Sequence, residues 1–160
     1  MRPPRAVEES QFIDRCTKCA DCITACPHDA IIKAPERFRS AAGTPMINPS
    51  DAPCLMCQDT PCVAACPTGA LIPTMPLRMA EAQIRTHDCL AHTGQACSVC
   101  VEHCPVPGAI SLVENAPSID TDRCTGCGVC HFVCPAPTNA IAILPLAQRP
   151  KAEPTTERRE

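Results

Sequence analysis

The 160-residue chain has no tryptophan, no tyrosine and three phenylalanines, Phe12, Phe38 and Phe132. Aromatic rings normally dominate core burial, so an ordinary organic core is excluded as the main source of stability. The hydrophobic share of 45% includes sixteen cysteines, and without them about a third of the chain is apolar. No run approaches the roughly 18–20 apolar residues that a bilayer-crossing helix needs, which excludes a direct membrane span. The first residues, from Met1 to Glu9, lack an apolar h-region and a small-residue cleavage site, and Arg2 and Arg5 are not adjacent. Neither a secretory nor a twin-arginine signal is read there. The Lys and Arg residues form no basic stripe with interleaved aromatics, so nucleic acid is excluded as a partner.

What the chain does have is cysteine, in four groups of four, each ending in a Cys-Pro pair. The groups are Cys16, Cys19, Cys22 and Cys26; Cys54, Cys57, Cys62 and Cys66; Cys89, Cys97, Cys100 and Cys104; and Cys124, Cys127, Cys130 and Cys134. The first and last read C-x2-C-x2-C-x3-C-P, the bacterial run that holds 4Fe–4S clusters. Three thiolates within seven residues can wrap one cubane, and the fourth, carried further along, reaches a second cluster. All sixteen cysteines are therefore expected as iron ligands of four 4Fe–4S clusters. With inorganic centres filling the middle, the metal-free chain is expected to be largely unfolded.

Two plainer readings compete. Structural zinc would show paired C-x2-C knuckles separated by a dozen or more residues. A disulfide framework would need an oxidising compartment, whereas clustered cysteines in a reducing one point to metal. The spacing fits neither. In the second group the gap from Cys57 to Cys62 widens to four residues, and in the third the gap from Cys89 to Cys97 widens to seven. Longer loops cost little extra closure entropy, so both groups can still supply three thiolates, with the insertions bulging outward as candidate contact surfaces. The five histidines, near these loops, are expected to be solvated. No dinucleotide fingerprint, phosphate loop or nucleophile–base pair is present. One-electron transfer is the chemistry that remains, and no catalytic residue is expected.

Each group sits in a repeat: an extended lead-in, a cysteine loop, a Cys-Pro helix start and a small apolar strand. The strands are expected at 30–32, 70–72, 109–113 and 140–144, with lead-ins at 45–47, 83–85 and 118–120 making hairpins between loops. Residues 33–45 read as a polar connector. Leu77, Ala80 and Ile84 fall at helical spacing, so a short amphipathic helix over 76–84 competes with the lead-in at 83–85. The fold class is α+β: tandem bacterial-ferredoxin-like dicluster domains, with short hairpins and helices packed around clusters. Residues 1–11 form a lead-in, 12–146 the four-motif region, and 147–160 a Pro-rich, charged tail expected to be disordered. The formal charge is −3. Four oxidised clusters would take it to about −11, favouring partners with basic patches.

These residues resemble the ferredoxin-type accessory proteins of periplasmic nitrate reductase and methylamine-utilisation operons, the NapF, NapG and MauM family. The likeness runs from Arg2 to about Leu146. The lead-in to Cys16 looks like both NapF and NapG, while Pro53 to Cys62, Cys66 to Leu71, Cys97 to Cys100 and Ala140 to Leu146 look more like NapG and MauM. The resemblance implies an iron–sulfur electron-transfer protein of an anaerobic respiratory or nitrate-reductase-type system, with redox proteins as partners. It also implies two alternatives. One is a cytoplasmic maturation factor that binds a molybdenum reductase precursor before export; the other is the electron-transfer subunit of a larger oxidoreductase. The N-terminus matches the cytoplasmic NapF branch, so the chain is expected in the cytoplasm, or in the periplasm if a twin-arginine signal precedes this start. Simple tandem ferredoxins pair groups one with two and three with four. The second loop also resembles that of four-cluster subunits that nest one with four and two with three. Two regular groups outside two irregular ones favour nesting, with Cys134 completing the Cys16, Cys19 and Cys22 set and Cys104 completing the Cys54, Cys57 and Cys62 set.

Overall fold

Cysteine loops and nineteen prolines leave no stretch long enough for a wide sheet or a long helix. The computed structural model describes residues 1–152. Its helices are α1 (Glu9–Arg15), α2 (Asp21–Thr24), α3 (Pro61–Ala64), α4 (Val99–Glu102) and α5 (Val129–Phe132), and a 3-10 helix over Glu36–Ala41 occupies the connector. The strands are β1 (Ile32–Lys33), β2 (Pro45–Met46), β3 (Ala80–Ile84), β4 (Ile110–Val113), β5 (Ala116–Ile119) and β6 (Ile141–Pro145). None of the helices is long and apolar enough to cross a membrane, among the described residues.

The strands form three antiparallel pairs, β1 with β2, β4 with β5 and β3 with β6. One further bridge joins Ala6 to Leu71. The chain therefore folds as two similar halves. In each, an opening extended piece pairs with a closing one, Ala6 with Leu71 and β3 with β6, and a hairpin lies between them. Helices α2 and α3 pack together in the first half, and α4 and α5 in the second.

Four expectations need correction. Residues 80–84 are a strand, not the end of a helix over 76–84: Ala80, Ala82 and Ile84 point inward by turns, and β6 satisfies their backbone along the whole length. That ladder outweighs the helical spacing, because pairing context overrides local preference. The helical turns precede the fourth cysteine of each group instead of starting at its proline. Pro27, Pro67, Pro105 and Pro135 follow the turn, where a residue that cannot continue a helix belongs. The lead-in at 1–11 is part of the packed body: the Val7 amide donates to the Ala70 carbonyl at 3.2 Å and the Ile72 amide to that of Arg5 at 3.0 Å. Lastly, the tail is held as far as residue 152. Arg149 donates to the Met79 carbonyl at 2.6 Å, Glu8 N–H to the Pro150 carbonyl at 3.1 Å, and Ala152 N–H to the Gln11 side chain at 2.9 Å. The expected disorder of residues 153–160 lies outside the described residues.

The organic core is as thin as the composition implies. Of the three phenylalanines, Phe12 alone is buried, at 0% exposure, while Phe38 and Phe132 are 44% and 51% exposed. Phe12 packs with Val7, Ile47, Leu71 and Met79, and Ala82, Ile110 and Ile141 form a smaller nucleus in the second half. Arg2 is buried above the Phe12 ring, its guanidinium 4.3 Å from the ring centroid. It donates to the Thr44 hydroxyl at 2.6 Å, the Pro45 carbonyl at 3.0 Å and the Glu9 carboxylate, so the buried charge is paired on every side.

Candidate metal centres

Left-handed backbone at two points turns the first, second and fourth cysteine loops around their centres. In the first group these points are Lys18 (φ 60°) and Ala20 (φ 73°), in the second Met56 (φ 57°) and Thr60 (φ 43°), and in the fourth Gly126 (φ 66°) and Gly128 (φ 92°). Ala20, Thr60 and Gly128 are also the N-caps of α2, α3 and α5. The reversal places the third cysteine of each of these groups inside a one-turn helix, on the same side as the first two.

All sixteen cysteines are unpaired by disulfides. One enclosed cavity is lined by Cys16, Cys19, Cys22 and Cys66, a second by Cys26, Cys54, Cys57 and Cys62, and a third by Cys89, Cys97, Cys100 and Cys134. Cys104, Cys124, Cys127 and Cys130 form the remaining set: Cys127 is repelled by Cys104 and Cys124, and Cys130 by Cys127 and Cys124. In every set three cysteines come from one group and the fourth from its neighbour in sequence. The nested arrangement is thus corrected. Cys66, not Cys134, stands with Cys16, Cys19 and Cys22, and Cys26, not Cys104, stands with Cys54, Cys57 and Cys62. The cause is the strand pairing, which closes each half on itself and brings adjacent groups face to face.

Burial pushes the Cys22, Cys54 and Cys100 thiols up to about 11, and those of Cys62 and Cys130 up to about 12. Repulsion from neighbouring cysteines adds to the burial. Thiolates crowded this way need cations between them. Cys66 behaves differently: burial raises it, but the amides of Leu71, Thr68 and Ala70 and the Thr68 hydroxyl converge on its sulfur and leave it lowered. Backbone N–H groups aimed at sulfur are what a cluster thiolate uses to hold its charge. Among the described residues no three His, Cys, Asp or Glu side chains close tightly enough for a single metal ion. The sulfurs wall a space instead of converging on a point, which suits a cluster of several irons better than one zinc held at about 2.3 Å per sulfur. The donor chemistry therefore fits 4Fe–4S centres.

The insertions do bulge outward: His92 to Ala96 and Gln58 to Asp59 are exposed. His131 uses both ring nitrogens, one with the Ser50 hydroxyl at 3.0 Å and one with the Ile141 carbonyl at 2.6 Å. Thr68 was not singled out from sequence. Its position two residues after the fourth cysteine, in Cys-Pro-Thr-Gly, is the signal that could have found it.

The family model for a 4Fe-4S dicluster domain matches residues 15–70, and that for a 4Fe-4S binding domain matches residues 115–136. The methylamine utilization ferredoxin-type protein MauM of Methylobacillus flagellatus is 42% identical, with 91% of this chain and 68% of that protein aligned. The ferredoxin-type protein NapG of Escherichia coli is 37% identical over 92% of this chain and 71% of its own. The ferredoxin-type protein NapF of the same organism is 32% identical over 84% and 80%. Among solved structures, the formate dehydrogenase, heterodisulfide reductase and formylmethanofuran dehydrogenase complex of Methanospirillum hungatei aligns with 88% of this chain and 52% of its own. That match has 22% identity and a TM-score of 0.35, a likeness too loose to add to the fold described above.

Proposed function

The chain belongs to the family of ferredoxin-type 4Fe–4S proteins that includes MauM, NapG and NapF, and from that premise we propose that it carries four clusters and relays single electrons between protein partners. The observation that carries this reading is the sorting of sixteen cysteines into four sets of four around separate centres. Each bound cluster supplies a reversible one-electron couple. The chain's own part is to hold the thiolates, aim backbone amides at sulfur, and keep water from the inner centres. Similarity to MauM and NapG, at 42% and 37%, favours a role beside an amine-oxidising or nitrate-reducing system, with basic faces on its donor and acceptor. The weaker likeness to NapF, at 32%, favours the second reading, a maturation factor for a molybdenum reductase.

Anaerobic reconstitution tests the first part: about sixteen irons and a matching amount of acid-labile sulfide per chain are expected, and a zinc-loaded chain overturns it. Copurification from the native host separates the two roles. Binding to a mature redox partner supports the relay, whereas binding only to an unexported reductase precursor supports maturation. We place cluster assembly in a reducing compartment, since exposed thiols such as Cys19 oxidise elsewhere. Fractionation of the native host locates the working protein.

A further inference from the structure

The two halves touch at one cysteine of each. The Cys54 amide donates to the Cys127 carbonyl at 3.1 Å, although the two residues belong to different sets and different halves. Only one carbonyl, one hydrogen bond and a few single bonds separate their sulfurs. The surroundings fix this contact. The Met79 amide donates to the Thr125 carbonyl at 2.7 Å, and the Thr125 hydroxyl lies 3.5 Å from the Met56 sulfur. Ser50 holds His131 at 3.0 Å across the same seam. Glycine is required on the fourth-group side: a Cβ on Gly126 would stand 2.2 Å from the Ala80 carbonyl oxygen, and one on Gly128 2.4 Å from Pro49 Cβ. Gly126 lets the fourth cysteine loop close against β3 of its own half, and Gly128 lets that loop approach the other half at Pro49.

We propose that electrons cross between the halves at the Cys54–Cys127 contact, so that the four sites form one unbranched path. Resting on the four-cluster reading above, the path runs from the Cys16 set to the Cys54 set, across to the Cys127 set, and on to the Cys97 set. The packing of α2 on α3 and of α4 on α5 supplies the steps within each half. Each crossing moves one electron and no proton. The reduced site is oxidised by one electron and its neighbour reduced by one; a one-electron donor protein refills one end and a one-electron acceptor protein empties the other. The ends are then Cys19, exposed on the first group, and the exposed loop between Cys89 and Cys97 on the third.

The test is low-temperature EPR of full-length chains reduced with dithionite. Cys19→Ala with Cys97→Ala empties the outer sites and leaves about eight irons per chain. Its spectrum is expected to be broadened and split by interaction between the two inner centres. Cys57→Ala with Cys124→Ala empties the inner sites, and two unsplit signals are expected. An unsplit spectrum from the inner pair at full loading would overturn the proposal and leave two independent relays. Should either chain load incompletely, Gly128→Ala decides in the otherwise unaltered chain. With full iron it is expected to weaken the interaction, and Pro49→Gly to restore it. Gly94→Ala, with the same φ of 92° but nothing within 4 Å, should leave it unchanged. An unchanged spectrum in fully loaded Gly128→Ala overturns the crossing. Iron well short of sixteen in the unsubstituted chain overturns the four-cluster reading instead.

Discussion

Ala20 holds a backbone conformation that glycine holds at the equivalent place in the fourth group, φ 73° against 92° for Gly128. A left-handed residue with a Cβ costs about 1–2 kcal/mol, and glycine loses about 0.5–1 kcal/mol more than alanine in chain entropy on folding. The difference favours Ala20→Gly by up to about 1.5 kcal/mol. The expected outcome is a higher guanidinium midpoint for loss of the visible cluster absorbance, with iron content unchanged. Much at this scale was legible. Every cysteine could be named from spacing, because thiolates at two-residue intervals have few other uses. Thr68 is a different case: its place two residues after Cys66 is visible in the sequence, but that its hydroxyl turns toward the sulfur is not. Arg2 looked like part of a charged lead-in and proved to be a buried, fully bonded centre of the first half. Nothing in sequence marks its partners Thr44 and Pro45, more than forty residues away.

At the scale of elements, the segment leading into the third group shows where pattern reading fails and how to check the result. In a helix with Leu77, Ala80 and Ile84 on one face, Ala82 would point away from that face. In the strand it faces inward, 5% exposed and opposite Ile143. Ala82→Asp is therefore expected to cost about 3 kcal/mol or more, as an unpaired carboxylate forced into an apolar site. The exposed neighbour Gln83→Asp should stay within about 0.5 kcal/mol. Thermal unfolding of the loaded protein, followed by far-ultraviolet circular dichroism, compares them. Equal and small effects would mean that the strand is wrong. The segment misled because Ala80 and Ile84 belong to both patterns: with Leu77 they fit helical spacing, and with Ala82 they fit the alternation of a strand. The deciding strand, β6, is more than fifty residues downstream. The β4–β5 hairpin was legible for the opposite reason: both of its strands sit next to each other in sequence.

For the molecule as a whole, the last described residues close the structure by reaching back to α1. Removing the chain from Gln148 onward deletes the bonds of Arg149, Pro150 and Ala152 to Met79, Glu8 and Gln11. At about 0.5–1.5 kcal/mol net for each hydrogen bond, a loss of about 2–3 kcal/mol is expected, read as a lower guanidinium midpoint. The iron content before denaturation should not change. Chelation acts more drastically. With one buried phenylalanine and two small nuclei, the chain depends on its centres for folding, so stripping the iron should abolish the far-ultraviolet signal of ordered structure. A metal-free chain that keeps that signal would contradict this. The pairing of groups was the largest misreading at this scale. Regular groups outside irregular ones suggested nesting, but loop spacing reports how a loop wraps its own centre. Which group lies opposite is decided by the strands that close each half.

The exchange of fourth cysteines also limits how such a chain can be copied. A single group cut out and inserted elsewhere carries three thiols of one set and one that belongs to another, and so completes nothing. Two consecutive groups, with the strands that close them, carry two whole sets. The smallest block that carries complete sets is therefore the pair.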